Sequence, residues 1–501
     1  MTLAVGGRDR IFLAHNDEAA SRIRLVFCLI AALITGLLVL ASASSLLADP
    51  DNWWHVRVGL DLLENRSFPV VDTYSHTFAG EPWIAKEWLG QILLALSYAA
   101  AGWNGVALVT IASVALMVFL LAWYVSADLK PMTALIVALA VALLASPLYN
   151  ARPIVLTLPI TVVWTAELFK AARERRVPPL WLLPLLCLWA NLHAAFTFGF
   201  IIAFFAGLEV LRQTRLTEPR LIAGWIAFGL LCPLVSMIHP YGLDAILATL
   251  SVASGNEAVP LIGEWQPFNA TSDPLQEGAM LLAYLGLLVA GLRVGWVKAL
   301  LFIAALHLFF THSRFMYLPF LLAPITMAPD IAAQYPHLSA GRSAAARDGL
   351  ERFFANHLAI TIGCLAIIVT AAVSALMAQP PLAPSSKTSA DGAIAYARQH
   401  GLTTGNVLNS YDLGGTLIFN RIKTFIDGRT DQLFLGGFMT QDTNSGASVG
   451  KPILVEALKK YAIDWALLVK DDARRPFFDE LPGWSRVYSD KETVVYARNK
   501  P

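Results

Sequence analysis

Hydrophobic residues in this chain come in long unbroken runs, not in alternating or half-apolar patches. Runs at 25–47, 104–126, 132–148, 154–171, 180–192, 194–211, 221–238, 277–293, 298–311, 315–329 and 357–378 are separated by polar connections. A helix crossing a bilayer needs about 20 apolar residues, within a range of about 17–25. The pattern therefore predicts a polytopic α-helical membrane protein of about eleven spans, its shorter runs forming tilted or broken helices. Beyond 378 the pattern changes. QPPLAPSSKTSA (379–390) reads as a Pro/Ser linker. DGAIAYARQHG (391–401) predicts a helix stopped by Gly401, and ILVEALKKYAI (453–463) an amphipathic helix. NVLNS (406–410), KTFID (423–427), WALLVK (465–470), WSRVYS (484–489) and TVVYAR (493–498) predict strands. Strands alternating with helices argue a small α/β domain over 391–501.

Composition supports the membrane assignment. The chain of 501 residues is 56% hydrophobic and 15% charged, against about 25% charged for an average soluble protein. Its mean hydropathy is +0.57. A net charge of +1 argues against nucleic acid as a partner. Cys28, Cys187, Cys232 and Cys364 all lie in apolar runs, so no disulfide framework is expected. Residues 1–24 are too long and polar for an ordinary cleaved leader, which makes 25–47 an uncleaved first span.

Charge then orients the chain. Arg8, Arg10, Arg22 and Arg24, the runs KAARERR (170–176), RQTRLTEPR (212–220) and GLRVGWVK (291–298), and Arg342, Arg347 and Arg352 fall on one side of the bilayer. Basic connections stay cytoplasmic. The N-terminus is therefore expected in the cytoplasm, and an odd number of spans exports the C-terminal domain. The expected location is the inner (plasma) membrane, with a bundle over 25–378 and a first exported loop at 48–88.

The unusual polar residues gather on the exported side: Asp49, Asp51, His55, Glu87, Arg152, Asn191, His193, His239, Glu264, His312 and Arg314. An anchoring role explains Trp53 and Trp54, because tryptophan is enriched at membrane interfaces. It does not explain carboxylates, imidazoles and guanidiniums converging on one face. Asp51 also suits the N-cap of a helix over 52–64. Trp54 can stack on a sugar or lipid, and His55 can bind a metal or phosphate. Arg152, in YNARP, and Arg314, in THSRF, suit a lipid phosphate, which a guanidinium binds in bidentate fashion; snorkelling to headgroups is the alternative. Asn191 and His193 lie between two short apolar runs, where polar groups usually face a cavity; Glu264 is placed similarly. Asp427, Arg429 and Asp431 also suit local turn and ion-pair chemistry. No P-loop, GxGxxG, GxSxG or HExxH pattern occurs.

The stretch ADPDNWWHVRVGLDLLENRSFPVVDTYSHTFAGEPWIAKEWLGQ, with WANLHAAF (189–196), HPYG (239–242), GEWQPF (263–268) and THSRFMYLPF (311–320), resembles bacterial membrane glycosyltransferases of the GT-C class. NSYDLGGTLIFNRIKTFIDGRTD (409–431) is similar to the Trp-Trp-Asp-Tyr-Gly region of oligosaccharyltransferase catalytic subunits, without the paired tryptophans. The resemblance implies sugar transfer from a polyprenyl-phosphate-linked or pyrophosphate-linked donor to an envelope acceptor at the lipid bilayer. It implies Asp51 as catalytic base, with Asp49 as the alternative and Glu87 as a second carboxylate. Asp51 and Glu87 would hold a divalent cation (Mg or Mn) where one is used, and Tyr411 and Asp412 would contact the acceptor. A transporter or flippase, or a non-catalytic assembly protein of the same class, is the competing expectation.

Overall fold

The computed structural model describes residues 7–253, 261–340 and 349–499. Arg342 and Arg347 lie outside the described residues, as do the side chains of Arg8, Arg10 and Arg352. Seven helices are long and apolar enough to cross a membrane: Ala20–Ala41, Trp88–Val125, Pro153–Arg173, Phe196–Thr214, Pro219–Ser236, Ser313–Gln334 and Leu358–Ala378. Four shorter apolar helices, Pro131–Leu144, Leu182–Leu192, Pro274–Ala290 and Trp296–Thr311, accompany them. Every apolar run read from the sequence lies on one of these helices, as in a multi-pass membrane protein.

Trp88–Val125 departs most from the sequence pattern. Its 38 residues would extend about 57 Å if straight, nearly twice the hydrocarbon thickness of about 30 Å. The helix breaks at Ala101 and Gly102, where Gly102 has φ +57 and ψ −147, a conformation open to glycine. Residues before the break form a helical piece that packs on helix Asp51–Asn65. The contact is close enough that a Cβ on Gly59 would meet the Gln91 carbonyl oxygen at 2.1 Å. Within the bundle, buried Trp164 donates its Nε1 hydrogen to the Gly199 carbonyl at 2.9 Å. Such close packing and internal hydrogen bonding hold helices together where lipid supplies no hydrophobic drive.

Four helices give the bundle two ends. Pro153–Arg173, Phe196–Thr214, Trp296–Thr311 and Ser313–Gln334 each begin or finish beside a large cavity and have their other end beside a smaller, highly charged one. Arg24, Lys170, Arg173, Arg212 and Lys298 line the smaller cavity. The unusual polar residues, Asn191 and His239 excepted, line the larger. The connection read from sequence as a loop at 239–276 contains helix Leu243–Ala253.

The C-terminal region forms a four-stranded sheet in the order β1-β2-β4-β3, with β1 (Asn406–Asn409), β2 (Ile463–Val469), β3 (Trp484–Ser489) and β4 (Thr493–Arg498). β1 and β2 are parallel; β4 is antiparallel to β2 and β3. Helix Asp391–Gln399 ends as expected, with Gly401 in the left-handed region at φ +68. KTFID is not a sheet strand. Thr424 instead bridges Ser75 of the first loop. The Asn409 side chain takes up backbone groups that a neighbouring strand would have used, accepting from the Phe425 N–H at 2.9 Å and donating to the Ile426 carbonyl at 2.8 Å.

Side chains alternate across the sheet, so its two faces have different partners. Val407, Trp465, Leu467 and Val495 pack with Ala393, Ile394, Ala397 and Leu417 of the C-terminal region itself. Leu408, Ala466, Leu468, Val494 and Tyr496 share a core with Trp54, Val58, Leu62, Trp83 and Ala85 of the first loop. A buried ion cluster reinforces this junction. Arg429 donates to Asp427 through Nε and Nη2, both at 2.8 Å, and to Asp72 through Nη1 at 2.6 Å, and its side chain has no exposure. The 379–390 segment is held as well: the Leu382 N–H donates to Asn104 Oδ1 at 2.8 Å.

Candidate active site

The larger cavity, about 1180 Å³, lies where the bundle, the first loop and the C-terminal sheet region meet. Helix Asp51–Asn65 supplies its centre. Asp51 belongs to the first turn, and its carboxylate caps nothing. Asp49 performs that local work, its Oδ1 accepting from the Asp51 N–H at 2.8 Å. Asp51 Oδ1 accepts from Trp54 Nε1 at 2.9 Å, and Oδ2 lies 2.8 Å from Arg152 Nη2. Gly428 presses against this carboxylate; a Cβ there would lie 1.9 Å from Asp51 Oδ1. Glycine is needed because the chain of the C-terminal region approaches so closely.

Arg152 precedes Pro153 at the start of a 3₁₀ turn. Its Nη1 donates to Glu264 Oε2 at 2.8 Å and to Asp49 Oδ2 at 3.3 Å. Glu264 also binds Arg314, at 3.0 Å through Oε1. Arg314 lies over Trp265, 4.2 Å from the ring centroid, and its buried Nε has no hydrogen-bond partner. Across the cavity, His193 Nδ1 accepts from the Ala195 N–H at 2.9 Å. Nε2 must therefore carry the proton of the neutral ring, and it donates to Glu87 Oε1 at 3.1 Å.

These surroundings shift the site's ionisation. Burial pushes Asp51 up to about 8; Arg152 opposes the shift and Asp49 adds to it. Burial likewise pushes Glu87 up to about 7, against the pull of Lys86. Burial also holds His193 and His55 well below the usual imidazole range, helped by nearby guanidiniums. Glu264 is buried too, but Arg152 and Arg314 hold it below its ordinary value. The site thus combines carboxyls that retain protons near neutrality with uncharged imidazoles, a pattern suited to proton transfer.

Of the residues singled out from sequence, Asp49, Asp51, Trp54, His55, Glu87, Arg152, His193, Glu264, Arg314 and Tyr411 line this one cavity. Asn191 and Asp412 do not. Asn191 is committed to structure: its Oδ1 accepts from Trp88 Nε1, and its Nδ2 donates to the Cys187 and Ile238 carbonyls. Asp412 is exposed beside the cavity's Tyr411. Neither tryptophan forms an interfacial belt, since both are buried. Trp53 packs edge-on to Trp103 and Phe419 at 4.9 and 5.0 Å. Lys86, Gln91, Trp265, Gly428 and Asp431 also line the wall and were not singled out as ligand contacts. Lys86 pairs with Asp431, and this contact between first loop and C-terminal region has no local signal in the sequence. Gln91 was accessible to pattern reasoning, four residues after Glu87 on a helix.

A divalent cation held by Asp51 and Glu87 does not fit this arrangement. Both Asp51 oxygens have donors, and Glu87 is engaged by His193. Among the described residues no three His, Cys, Asp or Glu side chains are grouped as a metal site.

No protein-family model matches the chain, and no curated protein matches it significantly. Among solved structures, it is similar to the crystal structure of the Archaeoglobus fulgidus oligosaccharyltransferase in the apo form. The TM-score is 0.52 at 12% sequence identity, with 94% of this chain and 74% of that chain covered. The distant resemblance to oligosaccharyltransferase catalytic subunits is therefore present in the fold.

Proposed function

We propose that the chain is an integral-membrane glycosyltransferase of GT-C type. It would transfer a sugar from a polyprenyl-phosphate or pyrophosphate carrier to a glycolipid, polysaccharide or protein acceptor on the exported face of the inner membrane. The observation that carries this proposal is the single cavity joining Asp51, Glu87–His193 and Arg314 beside an apolar wall. Its volume of about 1180 Å³ exceeds the about 300–1,000 Å³ of an ordinary small-molecule pocket, leaving room for donor and acceptor together. Phe198, Phe200, Ile201, Ile246, Leu250 and Leu308 supply the apolar side, suited to the first units of a polyprenyl chain.

Asp51, when ionised, takes the proton from an acceptor hydroxyl. The acceptor oxygen forms a bond to the sugar's anomeric carbon, and the bond from that carbon to the carrier phosphate breaks. The departing phosphate carries the electron pair. Arg314 is suited to receive it, because its guanidinium lines the cavity and Trp265 fixes its plane. The activated phosphate supplies the driving force, so a nucleotide site is unnecessary. The non-catalytic alternative has one observation in its favour: both Asp51 oxygens already have protein partners.

Deletion of the gene, followed by restoration with wild type or Asp51→Asn, separates these readings. Mass spectrometry of envelope glycans and polyprenyl-linked sugars is the readout. Transfer predicts loss of one sugar from an acceptor and accumulation of its lipid-linked donor, reversed by wild type alone. Equal restoration by Asp51→Asn would remove Asp51 as the base.

A further inference from the structure

The carboxylates of the cavity present a charge problem. Asp49, Asp51 and Glu264 come from two separate segments, yet all three reach one guanidinium, that of Arg152, at 3.3, 2.8 and 2.8 Å. Carboxylates gathered so closely repel one another and need a cation among them. Oxygen donors of this kind ordinarily hold Mg²⁺ or Ca²⁺ at about 2.0–2.6 Å. Here every carboxylate oxygen already has a donor from the chain. Asp49 Oδ1 takes the Asp51 amide, and its Oδ2 takes Asn150 and Arg152. Asp51 divides its oxygens between Trp54 and Arg152, and Glu264 between Arg314 and Arg152.

The backbone fixes Arg152 in this role. The Ala151 N–H donates to the Leu46 carbonyl at 2.9 Å, and the Arg152 carbonyl accepts from Val155 at 3.1 Å. Gly90 packs against the ring of Pro153, where a Cβ would come within 2.7 Å. The guanidinium is thereby brought between the first loop and Glu264. A second cation placed among the same oxygens would meet direct repulsion from it.

We propose that Arg152, rather than a divalent metal, is the resident cation that holds these carboxylates and positions Asp51. The site is then complete without a bound metal. Arg152 acts through the carboxylates as a positioning residue, and the inference rests on the geometry of the same cavity rather than on the sugar-transfer reaction.

Manganese binding to the purified full-length protein in nanodiscs, followed by electron paramagnetic resonance, tests this directly. Wild type is expected to show no Mn²⁺ signal that Asp51→Asn removes. Arg152→Ala frees the carboxylates and is expected to gain one site, at least about tenfold tighter than any in wild type. Adding Asp51→Asn to that variant should abolish the gain. Arg152→Lys keeps the charge and should behave as wild type. An Asp51-dependent Mn²⁺ site in wild type would overturn the proposal, as would a folded Arg152→Ala that gains none. Should Arg152→Ala fail to fold, Arg152→Gln, which removes the charge and keeps most of the side chain, replaces it with the same expected gain. The readout does not involve glycosyl transfer, so failure of the proposed reaction and failure of this inference are distinguishable.

Discussion

At the scale of single residues, Asp51 stands in the wall of the cavity and Gly428 sets the fit against it. Replacing Asp51 by Asn should lower transfer by roughly 10²–10⁴-fold, the usual contribution of a positioned acid–base group, measured with lipid-linked donor and purified enzyme. The pH dependence follows from the upward shift of Asp51 to about 8. Burial favours the protonated carboxyl in the folded chain, so the shift's contribution to stability is full below the ordinary Asp value of 3.8. It is lost as pH rises through about 8. The base form grows over the same interval, so initial rates should rise with pH and level off above it. A rate constant from roughly pH 6 to 9 would be incompatible with Asp51 as base. Gly428→Ala forces a methyl group into Asp51. It should cost about 1–3 kcal/mol of stability and most of the activity, read from thermal unfolding and the same transfer assay. The place of Asp51 in the cavity was legible from DPDNWWH in its setting. The importance of Gly428 was not, because DGRTD alone reads as ordinary turn chemistry.

At the scale of elements, the decisive contact joins the first loop to the turn at 427–431. Asp72, Asp427 and Arg429 are fully buried together. Removing the guanidinium leaves two carboxylates without their cation, and breaking a buried pair in this way costs about 3–5 kcal/mol. Arg429→Ala should therefore loosen the turn from the first loop. The expected result is faster amide hydrogen exchange over 423–432 and over 72–78, measured by mass spectrometry. Sequence pattern located β2, β3 and β4 closely, because short runs rich in β-branched and aromatic residues stand there between polar turns. It misassigned KTFID, whose apolar content suits a strand but whose backbone partners lie in the first loop. It also missed the helical piece before the break, which is a matter of backbone conformation at Ala101 and Gly102.

At the scale of the whole molecule, the C-terminal region and the first loop build one core from two distant parts of the chain. One face of the sheet opens into a core that Leu454, Leu458, Phe438 and Phe478 of the C-terminal region share with Trp54, Val58, Leu62, Trp83 and Ala85 of the first loop. Cutting the chain after 378 should expose that apolar surface on both fragments. Each fragment alone is expected to aggregate or be degraded, whereas the two co-expressed should associate, as judged by size-exclusion chromatography. A soluble, monomeric 379–501 fragment with native-like stability would contradict a shared core. The sequence by itself determined the apolar helices, the sheet-bearing C-terminal region and most of the charged residues of the cavity wall. These properties follow from runs of hydrophobicity, local periodicity and polar residues placed where polarity is costly. Tertiary structure alone decided that the sheet and first loop share a core, that Asn191 is spent on packing, and that Arg152 lies among Asp49, Asp51 and Glu264. Those facts depend on which segments meet across long sequence separations, and local residue pattern carries no record of a partner 100 or more positions away.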